Sequence, residues 1–274
     1  RVCLLTDDVA QWAVGFFAVA SVGAVIQVGS PVADTTQPES VTQSDVDFVL
    51  LPAAATPADR LRASQMGVPI RPMPARASLK DKPAHSRLRQ LGAVFAEGGG
   101  HSSHSVLRSQ SNLVLEAKSL VRAFNLIETD RILCTLQVDR SPGLCVGLLA
   151  AVQARATLVN SPLEDRGAFE ESFVRHHPTV LITDLSTLAA PIAESLRIHD
   201  AFKDVRLVVA PRSNMLAQAV EARPWLASRL ATFYHRAETG VIAINTHGGA
   251  SDCVGRPLPG VHVFLEKGWD MSKQ

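Results

Sequence analysis

The sequence has few cysteines, and their spacing pairs none of them. Cys3, Cys134, Cys145 and Cys253 are scattered over 274 residues without a C-x-x-C pair. This pattern indicates neither a disulfide framework nor a zinc site, and it is typical of buried thiols in a reducing compartment. We therefore expect a cytoplasmic protein.

An excess of charge of either sign is also missing. The 27 Lys and Arg residues nearly balance the 26 Asp and Glu residues, which leaves a net charge of +1. Nothing in this balance favours nucleic acid or an anionic membrane as a partner. With 46% hydrophobic and 19% charged residues, the chain is typical of a globular protein of one large or two small domains.

One uncharged run approaches the length of a membrane span, but its pattern argues against one. Ala10 to Val28 carries no charge, and Gly23 divides it into an apolar helical segment and the strand-like AVIQV. Asp7 and Asp8 precede the run, where a signal peptide would have positive charge. We expect a buried helix and a buried strand, and no transmembrane segment.

Three familiar site motifs are absent: the Walker loop, the G-x-S-x-G nucleophile elbow, and G-x-G-x-x-G followed by an acidic residue. What the sequence does contain is FAEGGGHSSHSVLRSQSN, Phe95 to Asn112. Glycines bring backbone N–H groups close to an anion, and a helix N-terminus favours negative charge. The pattern favours a phosphate-type loop that follows a strand and leads through a polar linker into a helix, although a plain flexible turn has the same composition.

The histidines of this segment raise a separate possibility. His101 and His104 stand three residues apart, as metal-ligand pairs do, but no neighbouring Cys/His cluster supplies further ligands. A solvated loop is therefore favoured over a metal site.

Short apolar segments alternate with helical patterns along the chain. This order predicts an α/β protein with parallel-rich, multi-stranded sheets covered by helices. The predicted strands are Val2–Leu5, Ala24–Val28, Asp47–Leu51, Ala93–Phe95, Arg131–Thr135, Thr157–Val159, Val180–Thr183, Val205–Val209 and Gly240–Asn245. The predicted helices are Val9–Ala20, Leu113–Phe124, Gly143–Ala154, Ala168–His176, Leu188–Ser195 and Met215–Ala222.

Several segments, in this order, resemble the adenylate-forming superfamily of acyl-CoA synthetases, fatty acyl-AMP ligases, luciferases and peptide-synthetase adenylation domains. The first strand–helix–strand, Arg1 to Pro31, is similar to the family's DRVAL…W…AGAV…P. The glycine segment aligns without a gap over eighteen positions with F-T-S-G-T-T-G-x-P-K-G-V-x-x-S-H-x-N. The last two matches are FYHRAETGV, for Y-G-x-T-E-T, and VGRPLPGV, for G-x-P-x-P-G-V.

The resemblance implies a nucleotide site whose phosphate loop comprises Gly98, Gly99, Gly100, His101, Ser102, Ser103 and His104. The family's loop holds phosphates with hydroxyls and a lysine. Here Gly99 and Gly100 replace two threonines, His104 replaces the lysine, and Ala96 and Glu97 replace Thr-Ser. Each lost charge-assisted hydrogen bond is typically worth ~1.5–3 kcal/mol, so weaker ATP binding is expected.

The resemblance places the adenine and acyl pocket at Arg212, Ser213, Tyr234 and His235. Pro211-Arg212-Ser213-Asn214 replaces the family's small-residue S-G-G-A turn, and the bulk of Arg212 alters that pocket. Glu238 matches the glutamate that helps to hold Mg²⁺, although a loop carboxylate that caps the next strand is an equal alternative. We expect Gly98–Gly100 and Glu238 to converge on one crevice.

Two function hypotheses follow. The first is the N-terminal part of an acid–CoA or fatty acyl-AMP ligase, residues 1–274 with a possible sub-boundary near 87–95, that activates a hydrophobic carboxylic acid. It would use ATP/AMP and Mg²⁺ and pass the acyl group to CoA or to a carrier-protein thiol. We expect the family's small C-terminal lid domain and its catalytic lysine to be absent, and activity to be weakened or lost. The second is a non-catalytic pseudoenzyme of the same fold, without catalytic cofactors, that binds an acyl chain, an adenine nucleotide or a protein partner.

Overall fold

The computed structural model of the chain contains two sheets and three layers of helices. It describes residues 1–6, 8–28, 46–53, 55–73, 91–97, 104–161, 166–189, 202–222, 224–246 and 253–264. The strands are β1 Val2–Leu4, β2 Ile26–Val28, β3 Phe48–Leu51, β4 Ile70–Pro72, β5 Leu91–Glu97, β6 His104–Ser109, β7 Arg131–Cys134, β8 Thr157–Asn160, β9 Val180–Ile182, β10 Leu207–Pro211, β11 Leu230–Arg236, β12 Gly240–Asn245 and β13 Arg256–Pro257.

The α-helices are α1 Val9–Ser21, α2 Pro57–Gln65, α3 Gln110–Ala123, α4 Ala150–Ala154, α5 Arg166–His176, α6 Leu185–Ala189 and α7 Leu216–Ala222. A π-helical segment, Gly143–Leu149, runs directly into α4. Side-chain caps fix two helix starts. Thr56 and Asp59 form a capping box at α2, and Ser109 and Asn112 form one at α3.

The first sheet has the order β4-β3-β1-β2-β5-β6 and is parallel except for β6. The second has the order β13-β12-β11-β10-β9-β7-β8 and is parallel from β11 to β8. Its β12 pairs antiparallel with both β11 and β13. The α/β class and the parallel-rich sheets predicted from the sequence are confirmed.

The helices α1, α3 and the segment 143–154 lie between the two sheets. Leu144 and Leu148 pack with the first sheet, whereas Val146 and Ala150 pack with the second. The outer faces are covered by α2 on the first sheet and by α5 to α7 on the second. Gly147 lets this helical segment pack closely on β7, because a Cβ there would lie 2.8 Å from the Cys134 sulfur.

Every predicted strand overlaps an observed one, and the uncharged segment after Asp8 is indeed a 13-residue helix followed by β2. No helix among the described residues is long and apolar enough to cross a membrane. The helix predicted over Leu188–Ser195 instead begins at Leu185, and its residues after 189 lie outside the described part of the chain. The elements that the sequence patterns missed are α2, β4, β6, β11 and β13.

The sequence predicts a polar linker between the glycine loop and the next helix, but residues 104–109 of this linker form a strand. The six residues of β6 pair antiparallel with β5 and separate the loop from α3. At about 3.3 Å per residue, the length of β6 puts the start of α3 about 17 Å from the first residue of that strand, well beyond the single turn over which a helix dipole acts. Gly98, Gly99, Gly100, His101, Ser102 and Ser103 themselves lie outside the described residues, as does the side chain of His104.

Candidate nucleotide and acid site

The turn after β10 is held at the carboxyl end of the second sheet by two hydrogen bonds of Arg212. Its backbone N–H donates to the Phe233 carbonyl over 2.8 Å, which continues the pairing with β11 beyond the strand. Its Nη1 donates to the Cys253 carbonyl over 2.7 Å. Ser213 follows, and its hydroxyl accepts the Met215 N–H at the entry to α7.

This turn and Tyr234 of β11 line one cleft of about 360 Å³, together with Asn214, Leu216, Ala217 and Val254. Tyr234 is 37% exposed, so its ring presents a surface on which a flat ring can stack. Arg212 supplies a permanent positive charge and Ser213 a hydroxyl. The cleft therefore joins an aromatic face to hydrogen-bonding groups at the carboxyl ends of parallel strands, where ligands of open α/β sheets bind.

His235 faces away from this cleft. Successive strand residues point to opposite faces, and His235 lies on the face of Phe233, with the ring centroids 6.4 Å apart. Its Nε2 lies 2.8 Å from the hydroxyl oxygen of the buried Ser141. Burial lowers the pKa of His235. Of the four residues predicted for the pocket, the structure thus brings together Arg212, Ser213 and Tyr234 but not His235.

Glu238 lies exposed on the turn that joins β11 to β12. The Thr239 N–H donates to the Arg236 carbonyl across this turn. The neighbouring Ala237 is buried, and its carbonyl accepts a hydrogen bond from Arg108 Nη1 over 3.3 Å. The turn that carries Glu238 is therefore fixed to β6, the strand that follows the glycine loop.

A buried ion pair stabilises this junction. Arg108 Nη2 and Glu116 Oε2 lie 2.8 Å apart, with side chains only 4% and 5% exposed. The second carboxylate oxygen of Glu116 accepts the Val241 N–H over 2.8 Å. The pair thus joins β6, α3 and the β11–β12 hairpin, which ties both sheets together beside Glu238.

Sequence reasoning missed this pair because arginine and glutamate are usually exposed, and nothing in the sequence shows that these two residues face each other. One signal was available: Arg108 stands two positions after the buried Val106, on the same face of β6. Also missed were Thr135 and Thr183, buried hydroxyls 2.8 Å apart at the ends of β7 and β9. The helices that follow these neighbouring strands lie on opposite faces of the sheet, as at a topological switch point.

The described residues contain no group of three or more His, Cys, Asp and Glu side chains arranged to hold a metal ion. Mg²⁺ in nucleotide sites commonly uses one or two carboxylates together with phosphate oxygens. A single exposed carboxylate such as Glu238 fits that requirement only when a nucleotide supplies the other oxygens.

No protein-family model matches the sequence, and no curated protein matches it. Solved structures do match its fold. ATP-bound MatB from Rhodopseudomonas palustris superimposes with a TM-score of 0.77 at 20% identity, over 95% of this chain and 55% of that one. The chain has the fold of the N-terminal part of an acyl-CoA ligase.

Two further ligases have a similar fold. A benzoate CoA ligase from Burkholderia xenovorans LB400 gives a TM-score of 0.76 at 17% identity, over 95% of this chain and 56% of that one. A malonyl-CoA ligase in complex with methylmalonyl-CoA and AMP gives 0.75 at 16% identity, over 95% and 57%. The chain therefore spans about half the length of these ligases. Its resemblance to adenylate-forming enzymes is confirmed at the level of the fold.

Proposed function

We propose that this chain is the nucleotide- and acid-binding part of an AMP-forming ligase that activates a hydrophobic carboxylic acid. The observation that carries the proposal is the cleft in which Arg212, Ser213 and Tyr234 meet at the strand ends. Related folds have been solved with ATP and with AMP bound, which supports the same class of ligand here. The acyl-adenylate would pass to CoA or to a carrier-protein thiol, in the cytoplasm.

The residues of the cleft suit the parts of an acyl-adenylate. The Tyr234 ring would stack on the adenine, and Arg212 and Ser213 would donate hydrogen bonds to polar atoms of the nucleotide or the acid. Backbone N–H groups of Gly98 to His101 would bind phosphate oxygens, and Glu238 would hold Mg²⁺ jointly with them. Bound in this way, the metal would neutralise charge on the phosphates.

The sequence of the phosphate loop indicates that this activity is weak. Glycines at 99 and 100 cannot donate the hydroxyl hydrogen bonds of threonine, and a largely neutral His104 replaces an ammonium group. The carboxylate of Glu97 would also repel a triphosphate. These substitutions favour a second candidate function, a non-catalytic domain that binds an acyl chain, an adenine nucleotide or a protein partner.

Calorimetric titration with a non-hydrolysable acyl-sulfamoyl adenosine tests nucleotide binding directly. We expect a Kd of micromolar or tighter for the unmodified chain, and at least a tenfold weakening in Tyr234→Ala, which removes the stacking surface. Glu171→Ala, an exposed carboxylate change on α5, serves as the control and should bind normally. If the unmodified chain gives no binding heat with this compound, the ligase proposal is rejected.

Pyrophosphate exchange separates the two candidates. A ligase would incorporate labelled pyrophosphate into ATP in an acid-dependent way, and Glu238→Ala would reduce this exchange when Mg²⁺ is supplied. A non-catalytic domain would bind the adenylate mimic without exchange. Restoring Thr at 99 and 100 with Lys at 104 should then improve ATP affinity, provided that the loop lies against the phosphates.

A further inference from the structure

A second cleft, of about 350 Å³, lies between α1, α3 and α4. It shares no lining residue with the cleft of Arg212 and Tyr234. Arg155, at its rim, precedes β8 by two residues, whereas Arg212 directly follows β10. Because β8 and β10 run parallel within the second sheet, the two clefts lie at opposite strand ends.

The walls of this second cleft are apolar. Phe16 and Leu113 are 4% exposed and form its inner part. Each of the three helices also leaves one large apolar side chain in water at the rim: Phe17 is 40% exposed, Val114 37% and Val152 50%. Apolar side chains exposed side by side around a concave surface mark a binding site for an apolar group.

The polar groups of the cleft are few and carry one sign of charge. Among the lining residues that the structure describes, Arg155 is the one charged residue, and none is Asp or Glu. Its guanidinium has no hydrogen-bond or ion-pair partner among the residues that the structure describes. Gln110 is already engaged, since its Nε2 donates to the Ala20 carbonyl over 3.2 Å. A ligand with an apolar body and one anionic end complements this arrangement.

The backbone at Arg155 adds to this argument. The residue has a left-handed conformation, with φ of 58°, at the carboxyl end of α4. Glycine is the usual residue in this position, because a side chain makes the conformation unfavourable. The chain therefore carries a long cationic side chain at the mouth of the cleft, at a position where glycine would be the less strained choice.

We propose that this cleft binds a medium-chain carboxylate, with its alkyl chain against Phe16, Phe17 and Val152 and its carboxylate on Arg155. The site is independent of the ligase proposal and is separate from the acid pocket at the strand ends. A neutral or cationic amphiphile would contact the same apolar walls but would have no oppositely charged partner. Selectivity for an anionic ligand therefore depends on Arg155.

Titration with sodium decanoate, with decan-1-ol as the neutral comparison, tests the proposal. We expect Arg155→Gln to weaken decanoate binding about two- to fivefold and to leave decan-1-ol binding unchanged. Val152→Glu, which places a carboxylate on the rim, should weaken both. Arg175→Gln, an exposed change on α5, is the charge-matched control and should weaken neither.

Two further readouts place the bound ligand. Trp12 is buried and stacks on Phe16 at 5.4 Å, so decanoate in this cleft should change tryptophan fluorescence. Tyr234→Ala should leave decanoate affinity unchanged. The proposal is overturned if decanoate does not bind, if Arg155→Gln binds it normally, or if Tyr234→Ala abolishes its binding.

Discussion

Removal of the Glu116 carboxylate is expected to destabilise the fold strongly. Its two oxygens accept hydrogen bonds from Arg108 Nη2 and from the Val241 N–H, both over 2.8 Å, in a region where both charged side chains are about 95% buried. Glu116→Ala would leave a buried guanidinium without an anion and a buried N–H without an acceptor. Breaking a buried ion pair on one side typically costs about 3–5 kcal/mol.

Such a loss is a large share of the stability of an ordinary domain, about 5–15 kcal/mol. Urea denaturation monitored by circular dichroism gives the free energy of unfolding for each variant. Glu171→Ala, an exposed change on α5, is the control and should lie within about 0.5 kcal/mol of the unmodified chain.

The double variant Arg108→Met/Glu116→Leu separates the cost of a buried charge left unpaired from the loss of the ion pair itself. Apolar residues of similar size often replace a buried ion pair at little cost, so the double variant should be more stable than Glu116→Ala alone. The Val241 N–H would still lack its acceptor and keep a residual loss of about 1–3 kcal/mol. A loss below about 1 kcal/mol in Glu116→Ala would refute the proposed role of the pair.

Three further predictions concern other residues. Gly240→Ala should lower the free energy of unfolding by about 2 kcal/mol or more, because φ is +77° and a Cβ would lie 2.4 Å from the Glu116 carboxylate. Gly67→Ala, at φ +64° in open space, is the control, and urea denaturation should show a smaller loss of unfolding free energy. Burial raises the pKa of Cys3 and of Cys134 to about 12, so a thiol reagent should modify exposed Cys253 and, only after denaturation, these two. Because burial lowers the pKa of His235 in the folded state, the unfolded chain protonates this histidine first as the pH falls. The free energy of unfolding should therefore decline below about pH 6.5, and it should decline less in His235→Gln.

The sheets were predictable because their strands are short apolar runs such as Val180–Ile182, which are recognisable without tertiary information. The strand β6 was not, because a sequence that begins with histidine and serine after glycines has the composition of a loop. Only its pairing with β5 makes it a strand.

The candidate site also has residues that the sequence predicts and residues that it does not. Arg212, Ser213 and Tyr234 were found by a motif and meet in one cleft. The direction of His235 depends on the pleat of β11, and the burial of Arg108 depends on a carboxylate eight residues later. Neither follows from residue type alone, since arginine is mostly exposed and histidine is intermediate in burial.

The helical layer between the two sheets has a consequence for how the chain unfolds. Leu144 and Val146 are neighbours in one helix, yet they belong to the cores of different sheets. Unfolding of either sheet would therefore remove packing contacts from a helix whose other face forms part of the core of the second sheet. The two halves cannot act as separate cooperative units, and we expect a single calorimetric transition in which both sheets are lost together.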